Sequence, residues 1–382
     1  MESPYTPHKF YLRSPTPSLP PTIIGALFHP SMIPLLPSPL PLATPIIANP
    51  NFEIKDAPHK GFAMYATRDI PEGGLIHIEH PVFIVPNKPL PRDHAGYDQV
   101  GSQLPRHAFQ EMMTMANCRS KQDCPSPVEG IARTNALSIE LKFPPEMDAY
   151  GESAKKYGAA FLILNRANHS CGPNAAIKWN LPTLTASMYA LRPILAGEEI
   201  TKTYVDPSLP RSQRIAHLQE NYGFTCDCQW CNLPTTSSSL DSDATRAALR
   251  IRLLTHPSYP KWSTDLARAD DVVLNSHFDA LQLIEQEGMH GLQGIYLEEI
   301  ALCYAILGDE DRFRMWAERL VRRCKVEDSR LANTFESYLD DVRRFKRWAW
   351  RRVQRKQMQG KKVRILPPLE DLFSPFLLEA QA

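Results

Sequence analysis

Hydrophobic and polar positions change rhythm along the chain. Between about residues 51 and 204 the pattern is one of short β-like runs. Residues 62–67 and 75–79 read as strands on either side of the turn Asp69-Ile70-Pro71-Glu72-Gly73-Gly74, a hairpin-like unit. Residues 175–179 and 184–190 form a second β pair across 180–183, and the turn at 192–197 feeds a further strand. Between the strand groups, apolar residues recur at helical spacing over 107–116 and 131–139. Residues 157–165 read as helical or mixed. Residues 86–104, rich in Pro, Asp and Gly, read as a linker. A Ser- and Asp-rich stretch at 237–243 marks a boundary, and beyond it the pattern is helical to about Arg352. Within that half, 296–308 and 309–321 read as a helix hairpin. Leu297, Ile300, Ala301 and Tyr304 share a face, and Gly308 ends the first helix. The order of elements predicts an α+β region followed by an all-α region.

Composition changes this picture at the N-terminus. The chain of 382 residues is long enough for two or three domains, and its 43% hydrophobic and 22% charged residues are ordinary for a globular protein. A net charge of +1 gives no global attraction for nucleic acid. The 35 prolines crowd the first fifty positions, which carry no charged side chain between Arg13 and Glu53. Pro30, Pro34, Pro37, Pro39 and Pro41 interrupt any membrane helix there, and the segment lacks the unbroken apolar core of a signal peptide. Residues 1–50 are therefore expected to be a disordered or polyproline-rich leader, with a transit peptide as the alternative, and no membrane partner is expected.

Candidate chemistry centres on cysteine. Cys226, Cys228 and Cys231 are spaced closely enough to share one Zn²⁺, one ligand short of a closed tetrahedral site. Cys171, in Asn168-His169-Ser170-Cys171-Gly172-Pro173-Asn174, is the best candidate for the fourth ligand. A disulfide plus a spare thiol is the competing assignment. Cys118, Cys124, Cys303 and Cys324 have no such spacing and read as buried or free thiols. Near the C-terminus, Arg343, Arg344, Lys346, Arg347, Arg351 and Arg352 continue through Arg355, Lys356, Lys361, Lys362 and Arg364, with Trp348 and Trp350 interleaved. This basic tail suits nuclear import or nucleic-acid contact, or it is the solvated face of a last helix.

Four separated pieces together resemble the SET-domain protein-lysine methyltransferases, closest to the SET-and-MYND group and its fungal relatives. They are Lys60-Gly61-Phe62-Ala63-Met64-Tyr65, the Asn168–Asn174 motif, Gly197-Glu198-Glu199-Ile200 leading to Tyr204, and the loop from Tyr222 to Cys231. The resemblance covers about residues 51–232. It implies a β-rich SET fold with a pseudoknot, a helical insert at about 105–165 and a post-SET zinc loop at 222–232. A helical domain at 233–382 would follow, where Ala301, Tyr304 and Gly308 have a spacing similar to tetratricopeptide units.

The resemblance also implies methyl transfer from S-adenosylmethionine to a lysine of a protein substrate, histone or non-histone. Tyr204 would be the catalytic tyrosine and would touch the cofactor. Tyr222 would be a second wall of the lysine channel, and Phe224 would stack on adenine. Asn168 would hold the cofactor through its amide, His169 through backbone groups, and Lys60, Gly61 and Phe62 through their backbone. Asn135 would meet the amino-acid end. Cys171, Cys226, Cys228 and Cys231 would hold a single structural zinc ion. Two departures stand out. Ala63 replaces a customary glycine, and no cysteine in 86–104 provides the MYND module. The expected location is nuclear, cytoplasmic or both, ahead of mitochondrial. The rival reading is a catalytically silent SET scaffold used for protein interaction. A zinc hydrolase is disfavoured, since four thiolates leave the metal no open position.

Overall fold

The computed structural model describes residues 5–45, 47–58, 60–87, 94–143 and 156–358. The chain divides into two compact units. One draws on Met1–Asp206 and Arg211–Asn232, the other on Pro207–Pro210 and Leu233–Ala382.

The first unit runs β1 (Thr6–Leu12), β2 (Thr22–Phe28), β3 (Phe52–Ala57), β4 (Gly61–Ala66), β5 (Leu75–Glu79), β6 (Phe83–Pro86), α1 (His94–Ser102), α2 (Arg106–Met112) and α3 (Pro127–Asn135). It continues with β7 (Leu137–Ile139), β8 (Tyr157–Ala160), β9 (Asn168–His169), β10 (Ala175–Asn180), β11 (Thr185–Ala190), β12 (Glu199–Lys202) and α4 (Arg211–Tyr222). Three sheets result, in the strand orders β1-β2-β6-β8-β7, β10-β11-β5 and β3-β4-β12-β9. The last is the sheet that matters for chemistry. β12 lies antiparallel to β4 and parallel to β9, with Thr201 opposite Asn168 and Lys202 opposite His169.

The described part of the N-terminal segment departs from the expected leader. β1 and β2 pair antiparallel from Thr6 opposite Phe28 to Leu12 opposite Thr22, and β2 continues in parallel onto β6. Leu12, Ile24, Ala26, Leu27 and Phe28 are wholly buried in the unit's core. The scarcity of charge here reflects burial. Pro7 lies within β1, the edge strand of its sheet, and the described prolines from Pro15 to Pro50 fall between and after the strands, where they remove no ladder hydrogen bond. The expected linker is a second departure. Residues 88–93 lie outside the described residues, but 94–102 form α1, with Tyr97 and Val100 fully buried. Gly101 is a packing device: a Cβ there would come within 2.9 Å of Val128 Cγ2 on α3.

Three local expectations also change. The strands at 62–67 and 75–79 do not form a hairpin: β4 pairs with β3 and β12, whereas β5 pairs with β11. The turn between them is instead held by Ile70 bridging to Ile194. The helical pattern at 131–139 stops at Asn135, and 137–139 joins β8 as β7. Residues 157–160 are a strand followed by a short 3₁₀ turn at Leu164–Arg166, so the insert at 105–165 mixes helix and sheet.

The second unit contains α5 (Thr236–Thr255), α6 (Tyr259–Thr264), α7 (Val272–Glu287), α8 (Gln293–Leu307), α9 (Glu310–Glu327), α10 (Ser329–Asp340) and α11 (Trp350–Met358). α8 is its axis, with Leu297, Ile300, Ala301, Cys303, Ala305 and Ile306 fully buried. Gly308 closes α8 at φ +72°, and Asp309 caps α9 by accepting from the Arg312 amide. Part of the basic run is committed to this core. Arg351 is wholly buried, pairs with Asp270 at 2.7 Å and donates to the Trp262 and Asp265 carbonyls. Arg343, Arg344 and Lys346 are exposed, and Lys361, Lys362 and Arg364 lie outside the described residues. Among the described residues no helix is long and apolar enough to cross a membrane.

Candidate active site and thiol cluster

The two central motifs are stitched together by one buried side chain. Asn174, 2% exposed, donates to Glu198 Oε1 at 2.9 Å and to the Glu199 carbonyl at 2.8 Å. Its Oδ1 accepts from the Thr201 amide at 2.8 Å. An amide side chain is needed because donor and acceptor are both used. Asn168 extends the stitch, donating to the Phe62 carbonyl at 3.2 Å and to Glu199 Oε1 at 3.0 Å. Glu199 in turn lies 3.7 Å from Lys60 Nζ. β4, β9 and β12 are thereby fixed around one opening.

That opening is a cavity of about 1520 Å³. Lys60, Gly61 and Phe62 line it from β4, Asn135 from the end of α3, and Asn168 and His169 from β9. Tyr204 follows β12, Tyr222 ends α4, and Phe224 and Cys226 come from the loop beyond. Gly61 sits at φ +71°, a conformation that a side chain resists, and has open space around its missing Cβ. Ala63 is fully buried and does not line the cavity, so its extra methyl points into the core. Asn135 is partly committed already: its Nδ2 donates to the Ala116 and Ile131 carbonyls.

Aromatic rings crowd one wall. Tyr204 and Tyr222 have centroids 4.8 Å apart, and the Tyr204 ring lies 5.4 Å from His169 and 6.4 Å from Phe224. The Tyr204 hydroxyl donates to the Ala167 carbonyl at 2.9 Å, and the Tyr222 hydroxyl donates to the Tyr204 carbonyl at 3.4 Å. Burial pushes both phenols above their ordinary range, so both stay protonated. Burial pushes the His169 imidazole down to about 4. Its Nδ1 accepts from the Tyr204 amide at 3.0 Å, which leaves the proton on Nε2, 3.3 Å from Cys171 Sγ.

The four sulfurs of Cys171, Cys226, Cys228 and Cys231 all lie within 4.8 Å of one another. The Cys171 and Cys231 sulfurs are 3.5 Å apart. Tetrahedral zinc with bonds of about 2.3 Å wants sulfurs roughly 3.8 Å apart, so the donor set fits that ion. Hydrogen bonds from Cys171, Cys226 and Cys231 hold Cys228 far below the ordinary thiol range, while bonding to Cys171 and Cys228 drives Cys226 far above it. Gly172 makes room for the cluster's lid: a Cβ there would meet the Trp230 indole at 2.4 Å.

Two residues escaped the sequence reading. Arg214, wholly buried on α4, bonds to the Cys171 and Cys231 sulfurs and donates to the Trp230 carbonyl at 3.2 Å. Lys202, at the end of β12, enters the cavity beside Tyr204. Neither lies at a spacing that marks it, since each role exists only once the chain is folded.

Comparison with known proteins follows the same motifs. The SET domain family model matches residues 61–205. Histone-lysine N-methyltransferase set5 of Schizosaccharomyces pombe is 28% identical over 198 residues, covering 52% of this chain and 56% of that protein. SET5 of Meyerozyma guilliermondii is 42% identical over 73 residues, covering 19% and 15%. Human SMYD3 is 27% identical over 181 residues, covering 44% and 35%. The chain thus spans about half the length of the first of these relatives and less of the others. A crystal structure described as the SET domain of LSMT bound to lysine and AdoHcy covers 82% of this chain and 93% of its own. At 11% identity and a TM-score of 0.29 that likeness is too loose to argue from. Residues 61–205 match the SET domain model, and the chain is similar to set5, SET5 and SMYD3, proteins named histone-lysine N-methyltransferases.

Proposed function

We propose that the first unit is an S-adenosylmethionine-dependent protein-lysine N-methyltransferase stabilised by one zinc ion. The observation that carries this reading is convergence. Residues as far apart in sequence as Lys60 and Cys226 line one cavity, and Cys226 joins it to the thiol cluster. The cavity exceeds the roughly 300–1,000 Å³ typical of a single small-ligand site, which suits two reactants meeting inside it. The relatives' names as histone-lysine methyltransferases support the same chemistry.

When bound, S-adenosylmethionine supplies an activated methyl group on a sulfonium. The chain's part is alignment and desolvation. Lys60, Gly61, Phe62 and Asn168 present backbone and amide groups to the donor, His169 its backbone, Asn135 the end of α3, and Phe224 a ring face for adenine. Tyr204 and Tyr222 form an apolar sleeve that strips water from the entering amine and favours its neutral form. Tyr204 keeps its proton and can orient that amine in line with the methyl group. Cys171, Cys226, Cys228 and Cys231 would hold a zinc ion, and with four thiolates spent on it the metal's part would be structural. We assign the protein to the nucleus or cytoplasm with a lysine-bearing protein as substrate.

The test is methyl transfer from labelled donor to a panel of lysine-rich proteins, histones included. Tyr204→Phe should lower transfer by about 10²-fold while donor binding by calorimetry persists. Unchanged transfer removes Tyr204 from catalysis. A wild-type protein that neither binds the donor nor transfers methyl overturns the enzyme reading in favour of a silent scaffold.

A further inference from the structure

Lys202 is the group in the cavity that the mechanism above does not use. It is 6% exposed, and its Nζ lies 4.2 Å from the centroid of the Tyr204 ring. Among the described residues, no carboxylate, carbonyl or hydroxyl is paired with that amine; burial lowers its proton affinity, and the face of the Tyr204 ring is the one contact that favours its charged form. A buried ammonium without a counter-charge is costly, and desolvation pushes this amine down to about 7.

The other groups around it are poor proton acceptors. His169, across the β9–β12 pair, has Nδ1 occupied by the Tyr204 amide and Nε2 turned to Cys171. The Tyr204 and Tyr222 phenols are protonated, and the Tyr204 hydroxyl is spent on the Ala167 carbonyl. Glu199, further back on β12, is engaged with Asn168 and Lys60. Arg214 and Cys228 act on His169 from the thiol side. A substrate lysine arriving beside Tyr204 would place a second amine in the same pocket. Two ammonium groups in one desolvated space repel, so the pair holds one proton more readily than two.

Resting on the methyltransferase reading, we propose that Lys202 is the proton acceptor that neutralises the incoming substrate lysine. The proton passes from the substrate ammonium to Lys202 Nζ. The freed lone pair on the substrate nitrogen then forms the new N–C bond as the methyl C–S bond breaks and its electron pair stays on sulfur. Lys202 passes its proton on to solvent before the methyl group moves, so the methylated nitrogen emerges as the one ammonium of the pair. The same desolvation that lowers Lys202 acts on the entering amine, whose ordinary value is about 10.4, and brings the two proton affinities together.

The experiment is the pH dependence of kcat/KM for the full chain with a peptide or protein found to accept methyl groups. Wild type should rise through an inflection near pH 7 and then level. Lys202→Met should lose that inflection, climb steadily towards pH 10 and fall by about 10²-fold at pH 7.5. Lys202→Arg, which cannot give up its proton, should be impaired at every pH. Calorimetric binding of S-adenosylmethionine checks that each variant is folded. A wild-type profile with no inflection between pH 6 and 8 overturns the proposal without recourse to any variant. So does a Lys202→Met profile that keeps the wild-type inflection. Wild-type protein that transfers no methyl at any pH removes the underlying enzyme reading, and this proposal with it.

Discussion

Asn174 shows how much a single polar side chain can organise. Its hydrogen bonds span the Glu198 carboxylate, the Glu199 carbonyl and both the amide and the hydroxyl of Thr201, all partly shielded from water. Asn174→Ala leaves a buried amide and a buried carbonyl without partners. It should cost about 2–4 kcal/mol, read as a lower urea midpoint with an unchanged slope. The motif around it stood out in the sequence because it gathers several chemically demanding side chains within a few positions, although the bonding of Asn174 itself did not. The cysteine trio was legible for the same reason. Arg214 and Lys202 were not. Arg214 stands among Arg211, Ser212 and Gln213 on a polar helix, and only folding brings it against two sulfurs. Lys202 looks like any strand cation until β9 pairs beside it and removes its solvent.

At the scale of elements, the β1–β2 hairpin and α1 were misread for related reasons. Proline density suggested disorder, yet β2 fits into the gap between Pro21 and Pro30, and β1 holds its one proline, Pro7, at the edge of the sheet. Gly96, Asp98 and Gly101 suggested a linker, yet α1 needs small residues where it crosses its neighbours. Gly25 on β2 is the matching accommodation, since a Cβ there would lie 2.8 Å from Val100 Cγ1. Gly25→Leu should therefore force α1 off the sheet and cost about 1–3 kcal/mol, measured by chemical denaturation. By contrast, the α8–α9 hairpin was plain in the sequence. Its apolar face, its Gly308 stop and its Asp309 cap are all local signals. The pairing of β4 with β12, more than 130 residues later in the chain, leaves no comparable local mark.

At the scale of the whole molecule, the two units have separate hydrophobic cores. One is built around Phe28, Phe83, Tyr157 and Phe161, the other around Trp262, Ile300, Phe313 and Leu320. Thermal unfolding followed by calorimetry should not fit a single two-state transition. On the proposed zinc site, chelation should release about one equivalent of zinc per chain and lower the transition of the first unit alone, because the binding energy would be spent where the four thiols lie. Both transitions moving together would contradict this. The strand order has one more consequence. The conserved-family match begins at residue 61, but β4 leans on β3 and β6 leans on β2, and both supports come earlier in the chain. A fragment trimmed to that match would bare two rows of unpaired backbone amides and carbonyls, inviting neighbouring copies to zip together into insoluble material.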